Sequence, residues 1–162
     1  KAIAGTNSQI LDTRKTIPNL RWAQKYAVIV GGGKNQRLAL YDGILIKENH
    51  IAAAGSVAAI LKQAQALNSN KSIQIEVENL SQLAQALQAG ARSILLDNFN
   101  LDQLRAAVKL NQESAVQAIL EASGGIGLEN VKEIALTGVD RISVGALTKN
   151  LQAVDLSMRF HG

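Results

Sequence analysis

Short runs rich in Ile, Val and Leu alternate along this chain with longer amphipathic segments, and no other feature restricts the fold as strongly. Continuous aliphatic runs suit strands buried on both faces, as in a parallel sheet, and parallel strands need crossover helices between them. The pattern predicts strands at 9–12, 43–47, 73–78, 93–96, 118–121 and 141–144, and helices at 21–30, 57–67, 80–89, 101–110 and 128–136. Helix punctuation agrees: Leu80-Ser81 at one start, Ala89-Gly90 at an end, Asn100 and Asp102 at a start, Thr137-Gly138 at another end. The only proline, Pro18, follows the first strand and is expected to open the next helix. The expected class is α/β, a TIM-like (β/α) barrel of about six or seven parallel strands, closed or incomplete, in a single domain over 1–162.

Composition narrows the chemistry. With 47% hydrophobic and 19% charged residues in 162, the chain has the balance of a folded domain with a sizeable core. Apolar runs such as 52–54 and 94–96 are too short for a bilayer span or a secretory signal, so the expected address is cytoplasmic. Cysteine is absent, which excludes disulfides, thiolate nucleophiles and cysteine metal sites. Lys+Arg exceed Asp+Glu by 17 to 13, an excess that suits a small anion better than a polymer. Trp22, Tyr26, Tyr41, Phe99 and Phe160 are the only aromatics and form no basic-aromatic stripe, which argues against nucleic-acid binding. Residues 1–5 carry neither an initiator methionine nor a cap, and the expectation is a chain that begins inside a longer protein.

Polar residues gather at the C-terminal ends of the predicted strands: Asp12-Thr13-Arg14-Lys15, Lys47-Glu48-Asn49-His50, Glu76 with Glu78-Asn79, Asp97-Asn98, Glu121 with Ser123-Gly124-Gly125, and Gly145-Ala146. In a (β/α) barrel that rim is where the loops open on one face and reacting groups converge. Arg14, Lys15 and Arg37 form a mixed guanidinium and ammonium set suited to a polyanion, although any one of them alone reads as a solvated surface charge. Lys47, at the end of a buried run, either meets an anion or reaches out to solvent. His50 beside Asn49 reads as a loop hydrogen-bonding group. Glu76, Glu78 and Gln74 share one strand face by period two, and carboxylates placed there need a cation, either a divalent ion or a lysine such as Lys15 or Lys47. With Asp97 on the next strand, Glu76 suits Mg²⁺ held jointly with phosphates; a structural ion pair explains the same placement. The glycines around Ser123 and Ser143 offer backbone N–H groups for a phosphate, or plain turns.

Taken in order, residues 10–16, 45–51, 76–80, 96–99, 121–126 and 142–148 resemble the quinolinate phosphoribosyltransferases over nearly the whole chain. The resemblance implies transfer of phosphoribose from phosphoribosyl pyrophosphate to the ring nitrogen of quinolinate, followed by decarboxylation to nicotinate mononucleotide in NAD biosynthesis. It assigns Thr13, Arg14, Gln36, Arg37 and Lys47 to substrate binding, with Lys15 between the two substrates. Glu76 and Asp97 fall to ribose hydroxyls and Mg²⁺; Ser123, Gly124, Gly145 and Ala146 fall to the 5′-phosphate. Lys15, Lys47, Glu76 and Asp97 are the residues expected to act in catalysis. Two departures stand out. Gln36 replaces the family's histidine, so it donates a hydrogen bond but cannot become cationic. The resemblance covers none of the family's N-terminal domain, which supplies a further arginine and covers the partner's barrel mouth in its homodimers or higher homo-oligomers, and the expectation is that these 162 residues alone turn over poorly. A related pyridine-carboxylate transferase and a catalytically silent barrel that serves in folding or assembly are the alternatives.

Overall fold

The computed structural model describes residues 1–67 and 70–161. Its elements run β1 (Gln9–Leu11), α1 (Arg21–Val30), β2 (Gly43–Ile46), α2 (Glu48–Ala54), α3 (Val57–Ala66), β3 (Ser72–Val77), α4 (Leu80–Gln88), β4 (Ser93–Asp97), α5 (Leu101–Glu113), β5 (Ile119–Ser123), α6 (Val131–Ala135), β6 (Arg141–Ser143) and α7 (Ala146–Lys149). The six strands form one sheet in the order β1-β6-β5-β4-β3-β2, with every pairing parallel. That order is the cyclic order of a barrel in which the last strand pairs with the first, left open at one seam between β1 and β2. Residues 33–37 run along that seam. The Lys34 N–H donates to the Ile10 carbonyl (2.8 Å), the Asp12 N–H donates to the Lys34 carbonyl (3.1 Å), and the Arg37 guanidinium reaches the Gly43 carbonyl (3.0 Å).

The sheet sorts its side chains by period two. Ile75, Val77, Ile94, Leu96, Leu120, Ala122 and Ile142, all nearly or wholly buried, form one core with Leu61, Leu83, Leu104 and Ala107 of the covering helices. Their alternates face the other way. Register pairs Leu45 with Gln74, Glu76 with Leu95, Leu95 with Glu121, and Glu121 with Arg141, so the face turned from the helices is largely polar. The aliphatic runs thus fix the sheet, and the interrupting polar residues fix what its inner face can hold.

Several predicted boundaries move, each for a local reason. Residues 48–50, read as a rim loop, form the first turn of α2: Lys47 caps it, and His50 Nδ1 accepts from the Lys47 N–H (2.9 Å), a capping interaction that needs no loop. The start near residue 80 is capped by Asn79, whose Oδ1 accepts from the Gln82 N–H (2.9 Å). Pro18 lies three positions before α1 rather than in its first turn. The helix predicted over 128–136 shortens to Val131–Ala135 because Asn130 Oδ1 accepts from the Gly127 N–H (3.0 Å), folding 127–130 into a turn. Glu78 falls beyond the end of β3 and is exposed, so it does not share the inner face with Glu76. Among the described residues no helix is long and apolar enough to cross a membrane.

Candidate active site

Because all six strands are parallel, their C-terminal ends lie along one edge of the sheet, and the residues that follow them are brought together there. The loop after β1 is anchored by hydrogen bonds from two later segments. Arg21 donates from Nη2 to the Arg14 carbonyl (3.0 Å), from Nε to Thr16 Oγ1 (3.1 Å) and from Nη1 to the Leu38 carbonyl (3.3 Å). Thr148 Oγ1 donates to the Lys15 carbonyl (2.7 Å), and Thr13 Oγ1 accepts from the Lys15 N–H (3.1 Å). Gly145 lies against Thr13 Oγ1 and the Lys15 aliphatic chain, both 3.8 Å from where its Cβ would stand, so the first and last strand ends adjoin.

Arg14 and Arg37 come close enough for charge to act between them. Burial is the main cause that lowers the Arg37 pKa, and the Arg14 charge lowers it further; Asp42, Glu121 and Glu76 oppose the shift from a distance. Among the described residues no carboxylate lies within salt-bridge reach of either guanidinium. Arg14 Nε is buried without a hydrogen-bond partner. Arg14, a cation with an orphaned donor, is arranged for an anion, whereas the Arg37 guanidinium rests on the Gly43 carbonyl at the start of β2 (3.0 Å).

Lys47 Nζ donates to both oxygens of Glu76 (2.9 and 3.0 Å), with Glu76 12% and Lys47 48% exposed. The lysine is therefore already paired, and an incoming carboxylate would compete with Glu76 for it. Asp97 closes β4 two residues beyond the register partner of Glu76, roughly 8 Å away between Cα atoms on the neighbouring strand. Its Oδ2 accepts from Asn98 Nδ2 (2.9 Å). Two carboxylates on adjacent strand ends do not complete a cage, and among the described residues no cluster of three or more His, Asp or Glu could hold a metal alone. Such a pair fits Mg²⁺, which keeps waters and is usually held by one or two carboxylates with substrate phosphates.

Asn98, grouped with Asp97 at the strand end by the sequence but given no role of its own there, does two things here. It adopts φ +56, donates to Asp97, and presses on Gly124, whose φ of +104 and lack of room for a Cβ beside Asn98 require glycine. The carboxylate end of β4 and the glycine turn after β5 are thus one rigid unit. Replacing Asn98 with Ala should cost about 1–2 kcal/mol, from a left-handed backbone that alanine tolerates poorly, whereas Asn98→Gly should keep the backbone and lose only the amide. Urea unfolding of both variants measures this; equal loss for Ala and Gly would remove the backbone argument. Ser123 ends β5, and Gly124, Gly145 and Ala146 follow β5 and β6 on the same edge.

Gln36 sits on the seam with its amide turned inward. Nε2 donates to Gln74 Oε1 (2.9 Å) and to the Glu121 carboxylate (3.0 and 3.2 Å), while Oε1 accepts from the Arg37 N–H (2.6 Å). The hydrogen bond that the sequence reading expects Gln36 to offer a substrate carboxylate starts from an amide whose N–H groups are both engaged.

Residues 1–159 match the sequence profile described as quinolinate phosphoribosyl transferase, C-terminal domain. The chain belongs to that family. It is 46% identical over 157 residues to the nicotinate-nucleotide pyrophosphorylase [carboxylating] of Mycobacterium leprae, covering 97% of this chain and 55% of that protein. It is 47% identical over 151 residues to the probable enzyme of the same name from Bacillus subtilis, covering 93% and 51%. The solved nicotinate-nucleotide pyrophosphorylase of Francisella tularensis superposes with a TM-score of 0.91 at 48% identity, covering 96% of this chain and 55% of that one. The chain spans about half the length of these family members.

Proposed function

We propose that this chain is the reacting barrel of a quinolinate phosphoribosyltransferase, joining the phosphoribose of phosphoribosyl pyrophosphate to the ring nitrogen of quinolinate and then releasing CO₂. The observation that carries this reading is Arg14, which follows β1 with its Nε buried and without a hydrogen-bond partner and, among the described residues, with no carboxylate in salt-bridge reach. A pyridine dicarboxylate answers it, with Lys47 completing the clamp, Thr13 and Gln36 lining it, and Lys15 placed between the two substrates. The glycine turns with Ser123, Gly124, Gly145 and Ala146 cradle the 5′-phosphate. Glu76 and Asp97 meet the ribose hydroxyls and a Mg²⁺ ion, which when bound neutralises charge on the departing pyrophosphate.

In the first step the bond from the ribose anomeric carbon to pyrophosphate breaks, its electron pair leaves with pyrophosphate, and the ring-nitrogen lone pair forms the new bond. In the second, the C–C bond to the carboxyl beside that nitrogen breaks, the electron pair stays on the ring carbon next to the cationic nitrogen, and a proton is taken up there. No side chain forms a covalent bond. Lys47, Arg14 and Arg37 hold the carboxylates, and fixed charge stabilises what develops. A homo-oligomeric assembly, in keeping with the apolar side that α1 turns outward through Trp22 and Tyr26, and a cytoplasmic address belong to the same proposal.

Calorimetry with quinolinate and with nicotinate tests it. Tighter binding of the dicarboxylate is the expected result, and a preference for nicotinate would favour a related pyridine-carboxylate transferase. Glu76→Gln should weaken Mg²⁺-dependent binding of phosphoribosyl pyrophosphate by about tenfold or more, since a charged oxygen ligand is lost while Lys47 is freed. Unchanged Mg²⁺ dependence would leave Glu76 as the structural partner of Lys47.

A further inference from the structure

Glu121 lies in the middle of β5 with no exposure to solvent, and among the described residues no cation is within salt-bridge reach of it. A buried carboxylate served only by neutral donors is costly, yet it is fully satisfied here: Gln74 Nε2 donates to it (2.9 Å), as do Gln36 Nε2 and the Ser143 hydroxyl. Gln36 has two N–H donors, and the network takes both, one at Gln74 Oε1 and one at Glu121. Turned the other way, its carbonyl oxygen would face the Glu121 oxygens and Gln74 Oε1. Glu121 and Gln74 therefore dictate which end of the Gln36 amide points outward, and that end, Oε1, grips the Arg37 N–H at 2.6 Å.

We infer that Glu121, acting with Gln74, is a positioning residue: by orienting Gln36 it fixes the Arg37 backbone from which the guanidinium extends, and so supports selection of a dicarboxylate without touching it. This rests on the function proposed above. The chain of contacts is short, Glu121 to Gln36 to the Arg37 backbone, and the far end of Arg37 is fixed separately by Nη1 donating to the Gly43 carbonyl (3.0 Å). Losing the Gln36 contact removes the bond to the Arg37 N–H itself, leaving its backbone to the bonds of its neighbours, Gln36 N–H to Asp12 and Leu38 N–H to Asp42, and a guanidinium that recognises a carboxylate through two parallel bonds is sensitive to such a change of angle.

The test is calorimetry on the whole chain with quinolinate, nicotinate and Mg²⁺-phosphoribosyl pyrophosphate. In Glu121→Gln an NH₂ replaces an oxygen that receives N–H groups, so the network cannot close. Quinolinate affinity should fall about tenfold while phosphoribosyl pyrophosphate affinity holds and the preference over nicotinate shrinks. The exchanged protein, Glu121→Gln with Gln74→Glu, again offers one carboxylate and one correctly turned amide, and should regain most of the preference. An unchanged preference in Glu121→Gln overturns the inference, as does a parallel fall for all three ligands, which is what structural damage alone would produce. If Glu121→Gln does not fold, the exchanged protein decides: wild-type preference supports the role and a lost preference overturns it. Failure of the unsubstituted chain to bind quinolinate would overturn the proposed function itself, and this inference with it.

Discussion

Lys25→Met is expected to cost about 3–5 kcal/mol of stability at neutral pH, because it strands a buried carboxylate. Lys25 and Asp12 are 1% and 0% exposed; Nζ stands 2.5 Å from Asp12 Oδ1 and donates also to the Gln36 carbonyl (3.0 Å). Asp12 accepts from the Gln36 N–H (2.8 Å), and with the Asn35 amide turned to face it, from Asn35 Nδ2 (2.7 Å). This one carboxylate ties α1 and the seam residues to β1. Burial already pushes the Asp12 pKa above its ordinary 3.8, and Lys25 and the Gln36 N–H work against that rise. Without Lys25 the pKa climbs further. A carboxyl whose folded pKa is raised contributes stability that is present below the unfolded value and lost as pH rises through the folded one. The penalty of Lys25→Met should therefore shrink in acid, where Asp12 is neutral, and reach its full size above the raised pKa. Urea unfolding at pH 7 and near pH 4 reads this directly. Equal losses at both pH values would mean that packing, not charge, is what Lys25 supplies. Asp12→Asn added to Lys25→Met should recover much of the loss, since a neutral acceptor remains for Gln36 and no buried charge is left unpaired.

That ion pair also marks where the sequence stops being legible. The strands and the longer helices follow from periodicity, because an aliphatic run buried on both faces has few other places to go. Helix α1 was found at 21–30 by the same pattern, but its rotation was not: it buries Gln24 and Lys25 and leaves Trp22 and Tyr26 each 71% exposed. Lys25 is inside because Asp12 is, a pairing across 13 positions that no local pattern records. The rim residues were readable because parallel strands put every C-terminal end on one edge. What they do to one another was not. Lys47 sits on Glu76, one of the two lysines the sequence offered as a structural partner, and Asn98 proves to be the strained link between Asp97 and Gly124. Glu121 carried a visible signal, a carboxylate inside an aliphatic strand, but its partners Gln36, Gln74 and Ser143 come from three other segments.

Arg37→Met should weaken quinolinate binding by roughly 30-fold to several thousandfold, the range set by the 2–5 kcal/mol that follows when one member of a desolvated, hydrogen-bonded charge pair is removed. The loss should be much smaller for nicotinate, which has one carboxylate for the remaining Arg14 and Lys47 to share. Arg37→Lys should fall between, because an ammonium restores the charge but not the planar fork that grips a carboxylate with two bonds. Stability should move the other way from affinity. With no anion bound, Arg37 is penalised by burial and by the neighbouring Arg14 charge, and it is repaid by one hydrogen bond to the Gly43 carbonyl and by acids too distant to touch it. Removing the charge relieves that penalty, so the melting temperature of the ligand-free protein should hold or rise as affinity collapses, the pattern of a group kept for binding rather than for folding. Thermal unfolding with and without quinolinate measures both quantities in one experiment: the wild type should gain stability from the ligand, and Arg37→Met should begin no lower and gain almost nothing. A variant that melts well below the wild type while still binding quinolinate tightly would make Arg37 a structural strut of the β1–β2 seam, and would take it out of the proposed carboxylate clamp.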